Sequence, residues 1–150
     1  EFVQKGYEEY KLYFIGSGEK EEQLRMLVQE KQLQDQIVFC GQMTHAQLLP
    51  VVAGSEALLV YTSKDNNMVS IVESIAVGTP VVTTSVPYNA AYIRREQLGI
   101  AEDDWTEEAL IKIVEDNGLY RQNCLRYRRK LSNTFCAERF MDVRASSEGS

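Results

Sequence analysis

The sequence lacks a long apolar run, because no stretch approaches the roughly 18 residues that a membrane-spanning helix needs, although 44% of its 150 residues are hydrophobic. The first residues, EFVQKGYEEY, are charged and aromatic, unlike the apolar region of a signal peptide. Linkers rich in Gly, Pro or Ser and internal repeats are also missing. The length and composition therefore indicate one globular domain that is large enough to bury a core.

Positive charge is scarce, since 16 Lys and Arg residues stand against 22 Asp and Glu residues and the formal net charge is −6. This balance argues against a nucleic-acid backbone as the partner. The one basic cluster lies in LRYRRK, residues 125–130. It has two interpretations: a solvated helix face, or a surface that contacts anionic lipid headgroups or a partner subunit. A peripheral association with a membrane therefore stays open.

Cysteine, histidine and tryptophan are also few. The three cysteines, Cys40, Cys124 and Cys136, are widely spaced and form no C-x-x-C motif. Neither a disulfide framework nor a zinc site is predicted, and buried thiols in a reducing compartment are expected. The one histidine, His45, is interpreted as a surface residue at a helix start, and the one tryptophan, Trp105, as an anchor that packs on the domain.

Four short apolar runs predict strands because they are rich in β-branched or aromatic residues. They are Tyr10–Ile15, Ile37–Cys40, Ala57–Thr62 and Pro80–Thr84. Their lack of clean alternation is typical of strands that are covered on both faces of a parallel sheet. Helices are predicted at 19–31, 44–53, 71–77, 106–114 and 119–131. This order predicts an α/β fold with a doubly wound, mostly parallel Rossmann-like sheet and helices on both faces.

Two of the predicted helices carry specific expectations. In the first helix, Leu24, Leu27 and Val28 should form one apolar stripe. The second helix opens with THAQ, residues 44–47, which is a capping-box pattern. Pro50 should kink or shorten that second helix because proline lacks the backbone N–H.

The ends of the predicted strands are the places where such a sheet binds ligands. They read GSG at 16–18, GQM at 41–43, SKDNN at 63–67 and SVPYN at 85–89. Gly16 has two interpretations, a tight turn or a contact with a nucleotide. The three carboxylates of EKEE that follow GSG would repel a phosphate.

Two acids, Asp65 and Glu73, lie around the start of the third predicted helix. Ser70 and Glu73 alone would be explained as a capping box, but that interpretation leaves Asp65 unexplained. Alternatively, the amides of Met68, Val69 and Ser70 bind a diphosphate, and a carboxylate accepts hydrogen bonds from two ribose hydroxyls. Both interpretations stay open.

Five motifs in register resemble a known family. YFIGSG, IVFCGQM, ALLVYTS, Asp65-x7-Glu73 and AVGTPVV follow in the order of the family motifs GxG, V-x-F-x-G, A-x5-S, E-x7-E and A-x-G-x-P-V. From Tyr10 to about Arg144 the chain resembles the C-terminal, donor-binding domain of the group-1 (family four) retaining glycosyltransferases of the GT-B architecture. Two departures concern the donor loop, where Asp replaces the usual Glu and Asn66-Asn67-Met68 replaces Gly-Phe-Gly. SVPYNAAY also lacks the family's frequent Gly-Gly.

The resemblance implies an enzyme that moves a hexose, with retention, from a nucleoside diphosphate to a saccharide or lipid-linked acceptor in the cytoplasm, as in polysaccharide biosynthesis. It implies no cofactor and no dedicated metal, because the nucleotide sugar is the substrate. Asp65 would contact the donor sugar or the leaving diphosphate. The other implied substrate-binding residues are Glu73 for the ribose, Ser70, Val69 and Met68 for phosphate, Gln42 and Met43 for the base, and Gly16.

The resemblance also implies that residues 1–145 are a fragment of this domain. Separately, the terminal residues 146–150 are expected to form a frayed tail. The first strand of the sheet, with its basic residues, and the N-terminal acceptor-binding domain are expected to be missing. Two alternatives remain open: a non-catalytic GT-B-like partner subunit, and an unrelated flavodoxin-like module. The latter predicts an acidic cluster where this chain has Gly16-Ser17-Gly18.

Overall fold

The computed structural model describes residues 1–64 and 66–131 of the chain. The chain divides into two compact units, one at Glu1–Pro50 and one from Val51 onward. Each unit contains parallel strands with helices between them, so the predicted α/β class and strand direction are confirmed. The strands are hydrogen-bonded in two groups, of two and three strands. Asp65, Cys136 and the predicted tail lie outside the described residues.

The first unit is built on two parallel strands. β1 (Leu12–Ile15) pairs with β2 (Ile37–Gly41), and α1 (Glu21–Glu30) connects them. A short 3-10 turn precedes β1. β1 begins later than predicted because Tyr10 belongs to a preceding turn, in which its amide donates to the Tyr7 carbonyl.

The predicted apolar stripe of α1 is only partly buried. Val28 is 8% exposed, whereas Leu24 is 38% and Leu27 is 48% exposed. Arg25, on the same helix, lies over the Phe39 ring of β2, with its Cζ 4.2 Å from the ring centroid. The helix therefore packs on its strands partly through a cation–π contact instead of a closed apolar seam.

Helix α2 (His45–Gly54) begins with the predicted capping box. The Gln47 side chain accepts from the Thr44 amide at 3.0 Å, and the Thr44 hydroxyl accepts from the Gln47 amide at 3.4 Å. His45 is exposed at the first helical position, as predicted. The helix continues past Pro50 to Gly54, so the proline does not shorten it.

The second unit contains a three-stranded parallel sheet in the order β3-β4-β5. Its strands are β3 (Leu58–Val60), β4 (Val81–Thr83) and β5 (Gly99–Ala101), and its helices are α3 (Val69–Ala76), α4 (Ala90–Glu96), α5 (Glu107–Glu115) and α6 (Asn117–Tyr127). A 3-10 turn at Arg128–Leu131 follows α6. Both α4 and β5 fall between residues 85 and 105, where the sequence analysis predicted neither a helix nor a strand.

The core of the second unit covers both faces of this sheet. Val81 and Val82 are adjacent on β4 and therefore point to opposite faces, and both are fully buried. Val81 belongs to a cluster with Ile71, Ile75, Ile93, Leu98 and Cys124. Val82 belongs to a second cluster with Ile100, Ala109, Ile113 and Tyr120, on which Trp105 packs as predicted.

Arg121 of α6 joins three chain segments of the second unit. Its guanidinium donates to the carbonyl oxygens of Ala53 and Gly78, each at 3.3 Å, and to the carbonyl of Ser55. These carbonyls lie at or just beyond the C-terminal ends of α2 and α3, where a cation is favoured by the helix dipole. The contact holds the C-terminal end of α3. The N-terminus of α3 is the opposite end of the helix and takes no part in this contact.

Candidate functional site

The carboxyl ends of β1 and β2 lie side by side in the first unit. The Gly16 amide donates to the Gly41 carbonyl at 2.7 Å, and Gln42 Nε2 donates to Ser17 Oγ at 3.0 Å. Gly16 has a φ of +122°, a backbone conformation that glycine adopts without strain. The structure therefore brings together Gly16 and Gln42, two of the predicted nucleotide contacts. Met43 follows and is half-buried.

A pocket of about 230 Å³ lies beside these strand ends. Its lining includes Phe14, Gly16, Lys20 and Glu21. Lys20 and Glu21 carry opposite charges at the start of α1, so these two side chains together do not attract an anion. The pocket is compatible with the tight-turn interpretation of Gly16 and with the nucleotide interpretation alike.

The carboxyl ends of β3 and β4 are joined in the second unit. Thr84 Oγ1 donates to the Thr62 carbonyl at 2.7 Å, and the Tyr88 amide donates to the Asn66 carbonyl at 3.1 Å. The loop after β4 is thus hydrogen-bonded to the loop after β3 at two points. Two of the four predicted ligand-binding ends, SKDNN and SVPYN, are in contact.

Helix α3 begins at Val69, earlier than predicted, and Met68 is its N-cap residue. Ser70 is therefore the second residue of the helix and cannot cap it, so the interpretation of Ser70 and Glu73 as a capping box is wrong. The Met68 side chain itself makes no capping hydrogen bond. The earlier start has a tertiary cause, because a residue outside the helix, Asn89, holds Met68. The Met68 amide donates to Asn89 Oδ1 at 2.8 Å.

The same hydrogen bond corrects one predicted phosphate contact. The Met68 amide donates to Asn89, so it is not free for a ligand. The amides of Val69 and Ser70 come next, in the first turn of α3, where an N–H has no partner inside its helix. Neither donates to any residue that the structure describes. The anion-binding potential of this helix therefore lies in Val69 and Ser70.

One face of α3 is open and the opposite face is buried. Val69 is 66% exposed, and Glu73 is one turn further along the same face, half-exposed. Ile71 and Ile75 are completely buried on the core side. A ligand bound to the first amides of α3 would therefore lie on the face that carries the Glu73 carboxylate.

Asn89 is a site residue that the sequence analysis missed. It is fully buried, and its Nδ2 donates to Asn67 Oδ1 at 2.9 Å and to Tyr92 Oη at 2.6 Å. Burial raises the pKa of Tyr92, and the hydrogen bond from Asn89 opposes this rise. The signal in the sequence was weak, because an Asn at the start of a helix is ordinarily that helix's own cap.

The loop after β4 is also anchored to the end of β5. Asp103 accepts from the Ser85 amide at 3.0 Å and from the Ser85 hydroxyl at 2.7 and 2.8 Å. These hydrogen bonds stabilise the carboxylate and hold the pKa of Asp103 below its usual value. The loop that supports α3 is therefore fixed at both of its ends, by Ser85 and by Asn89.

The basic cluster lies on the last described turns of the chain. Arg126, Arg128 and Arg129 are exposed. Lys130 lies 3.5 Å from Glu96 and 5.1 Å from the Tyr127 ring centroid. Across the described residues no helix is long and apolar enough to cross a bilayer.

Taken together, these features define a class of protein: an α/β domain of parallel strands with an exposed helix N-terminus at the strand ends, an arrangement typical of nucleotide-binding domains. The family follows from the sequence profile described as glycosyl transferases group 1, which matches residues 2–131. The chain belongs to that family, and the resemblance expected from its motifs is confirmed. No curated protein matched the chain in sequence.

Solved structures of glycosyltransferases share this fold. WaaG, a glycosyltransferase involved in lipopolysaccharide biosynthesis, is 19% identical with a TM-score of 0.70, over 89% of this chain and 37% of its own. The pneumococcal O-GlcNAc transferase GtfA, in complex with UDP and GlcNAc, is 20% identical with a TM-score of 0.73, over 94% of this chain and 30% of its own. Anabaena HepE, in complex with UDP, is 16% identical with a TM-score of 0.71, over 97% of this chain and 43% of its own. The chain therefore spans less than half the length of these proteins.

Proposed function

We propose that this chain is the donor-binding part of a glycosyltransferase that moves a hexose from a nucleoside diphosphate to a hydroxyl of a saccharide or lipid-linked acceptor, with retention. The observation that carries the proposal is the N-terminus of α3. Its Val69 and Ser70 amides lie at the carboxyl ends of β3 and β4, and Glu73 lies one turn along the same face. The family and the UDP in the GtfA and HepE structures support the choice of ligand.

The diphosphate is the part of the donor that this helix suits best. Two amides without an intrahelical partner and the positive end of the helix dipole favour an anion at this position. The face of α3 beside them is open to solvent at Val69. Backbone amides and basic residues would hold the diphosphate without a dedicated metal. Among the described residues there is no group of three or more His, Cys, Asp or Glu side chains that suits a metal ion.

Glu73 is proposed to bind the ribose. A carboxylate has two oxygens that can accept hydrogen bonds from two adjacent hydroxyls at once, and charge-assisted bonds of this kind are stronger than neutral ones. Glu73 is half-exposed and lies one turn from the helix start. Its carboxylate is therefore on the same face of α3 as the proposed diphosphate. Asp65 is proposed to contact the donor sugar. Gln42 and Met43 are proposed to contact the base, and Gly16 to contact the nucleotide.

The domain organisation is also a proposal. Residues 1–145 of this chain would belong to a C-terminal donor-binding domain. A separate N-terminal domain of a longer protein would bind the acceptor. The coverage of 30–43% of the matched glycosyltransferases supports this arrangement. The alternative is a partner subunit of the same fold that binds no donor.

A position at the inner face of a membrane is proposed from the exposed arginines. Arg126, Arg128 and Arg129 would interact with anionic headgroups, at about 1 kcal/mol per basic residue. Co-sedimentation with anionic vesicles, lost in Arg128→Glu/Arg129→Glu and absent with neutral vesicles, is the expected result. Equal recovery of both proteins with anionic vesicles would contradict this placement.

Calorimetric titration with UDP, GDP and ADP tests the proposed function. We expect one of the three to bind, and Glu73→Ala to weaken it about tenfold or more, because a charged hydrogen bond contributes about 1.5–3 kcal/mol. For the 2′-deoxy form of the same nucleotide, the affinities of the wild-type chain and of Glu73→Ala should differ less than they do for the ribonucleotide. Glu30→Ala, at the far end of α1, is the control that removes the same charge.

The results separate the proposal from its alternative. Wild-type binding that Glu73→Ala weakens and Glu30→Ala leaves unchanged supports a donor site at α3. Thermal melting of both variants checks that the loss is not one of folding. A wild-type chain that binds none of the three nucleotides would contradict the proposal and favour the non-catalytic subunit.

A further inference from the structure

Asn89 occupies an unusual position for a helix-capping residue. It is the N-cap residue of α4, yet its side chain makes no hydrogen bond to α4's own amides. An Asn at an N-cap ordinarily satisfies an amide of its own helix and stabilises it by about 0.5–2 kcal/mol. Here the side chain reaches instead to Met68, the N-cap residue of α3.

The hydrogen bonds of Asn89 leave it no freedom to turn. Its Oδ1 accepts from the Met68 amide at 2.8 Å, and its two Nδ2 hydrogens are directed to Asn67 Oδ1 at 2.9 Å and Tyr92 Oη at 2.6 Å. The side chain is completely buried. Since the Met68 N–H can only donate, it fixes which end of the amide faces α3.

The consequence falls on the next two residues of α3. Met68 immediately precedes Val69 and Ser70, so the position of Met68 sets the direction in which their amides point. Donors that are held in place before a ligand arrives bind it more tightly than donors that must be ordered on binding.

We propose that Asn89 is a positioning residue for the diphosphate site: it clamps Met68 so that the Val69 and Ser70 amides are preorganised for the two phosphates. The inference rests on the proposed function of α3. It gives the loop after β4 a role that needs no contact with the donor, since Asn89 acts through Met68. The residue therefore contributes to affinity for the diphosphate and not to recognition of the base or ribose.

The test compares a nucleoside diphosphate with its monophosphate. The ligands are whichever of UDP, GDP or ADP binds the wild-type chain most tightly, and the corresponding monophosphate. We expect Asn89→Ala to weaken the binding of the diphosphate about tenfold, which corresponds to roughly 1.4 kcal/mol of hydrogen bonding. The binding of the monophosphate should weaken clearly less. The ratio of the monophosphate dissociation constant to the diphosphate dissociation constant should therefore fall. A general loss of stability would not produce this change in the ratio.

Two further variants keep the test decisive. Tyr92→Phe removes only the acceptor at 2.6 Å and keeps the ring, so it should fold and lower the ratio by a smaller factor. Thr84→Val removes the 2.7 Å hydrogen bond to Thr62, which joins the same two loops away from α3. It should lower the melting temperature and leave the ratio unchanged.

A measurement without ligand separates the inference from the proposed function. The Met68 amide should exchange with deuterium slowly in the wild-type chain and much faster in Asn89→Ala, because its acceptor is lost. If the wild-type chain binds the diphosphate and Asn89→Ala keeps the wild-type ratio, the inference is wrong and the proposed function stands. If the wild-type chain binds no diphosphate, both are wrong, even where the Met68 exchange behaves as expected.

Discussion

The two units of the chain differ in how completely they bury their strands. In residues 1–50, all of which are described, Val28 is the one buried side chain, and the residues of β1 and β2 are half-buried or exposed. In the second unit every residue of β4 and β5 is buried. Both units carry family motifs at their strand ends, but the second also has a closed core on both faces of its sheet.

The difference teaches where a precise site can be built in this molecule. Side chains and amides are held most accurately when they stand on an element whose own packing is fixed. α3 meets that condition, because Ile71 and Ile75 are completely buried in the core and Met68 is clamped by Asn89. Gly16 and Gln42, in the first unit, stand on strands that lack such a core.

The largest effect that would test this contrast is expected at Gly99. A Cβ at this position would collide with the Val81 carbonyl, across the β4–β5 pair, and the φ is +153°. Gly99→Ala should therefore separate the two buried strands and cost the second unit more than about 4–5 kcal/mol, enough to abolish cooperative unfolding.

Two glycine variants serve as controls for Gly99→Ala, with urea unfolding followed by circular dichroism. Gly16→Ala also has a positive φ, +122°, but nothing lies within 4 Å of its Cβ, so strain of about 1–3 kcal/mol is expected. Gly118→Ala, in α6, has open space as well and should be neutral or slightly stabilising. A cooperative Gly99→Ala protein as stable as Gly16→Ala would contradict the tight pairing of β4 with β5.

A pair of core variants is expected to show the next largest effect. Ile75→Ala should destabilise the chain by about 2–5 kcal/mol, because it leaves a cavity in a closed core. Leu27→Ala removes a side chain that is 48% exposed, so less than about 1 kcal/mol is expected. Both are measured by the shift of the urea midpoint. Equal losses would show that the first unit has a core as closed as the second, contrary to this account.

The smallest effect is expected from the pH dependence of Asp103. Its pKa is lowered by the hydrogen bonds from Ser85, so the contact stabilises the folded chain above the ordinary carboxyl pKa and is lost as the pH falls through the lowered value. Asp103→Asn should lower the melting temperature slightly at neutral pH, and the difference should disappear in strong acid. A difference that persists or grows in acid would exclude this origin.

Much of the fold could be predicted because the family motifs stand at the ends of short apolar runs. The four predicted strands all exist within or close to the expected bounds, and the THAQ capping box is present. β5 (Gly99–Ala101) could not be predicted, because Ile100 is the one β-branched residue in it and its other two residues are Gly and Ala. α4 was missed for a related reason, because its seven residues follow a proline-containing loop without a clear amphipathic pattern.

The site was predictable only where local sequence determines it. The position of α3 at a strand end follows from the motif order, but its first residue does not. Ser70 and Glu73 fit a capping box locally, and a contact from Asn89, distant in sequence, overrides that pattern. Tertiary hydrogen bonds of this kind leave no trace in a single sequence, and the roles of Glu73 and of Asp65 remain predictions.

The central claim is that the Val69 and Ser70 amides of α3 bind a diphosphate. The most direct measurement is a titration of the ¹⁵N-labelled chain with UDP, GDP or ADP, followed by the backbone amide chemical shifts. We expect the largest changes at Val69 and Ser70, with little change when the nucleoside without phosphates is added. Shifts confined to other parts of the chain, or none at Val69 and Ser70 at saturation, would contradict the account.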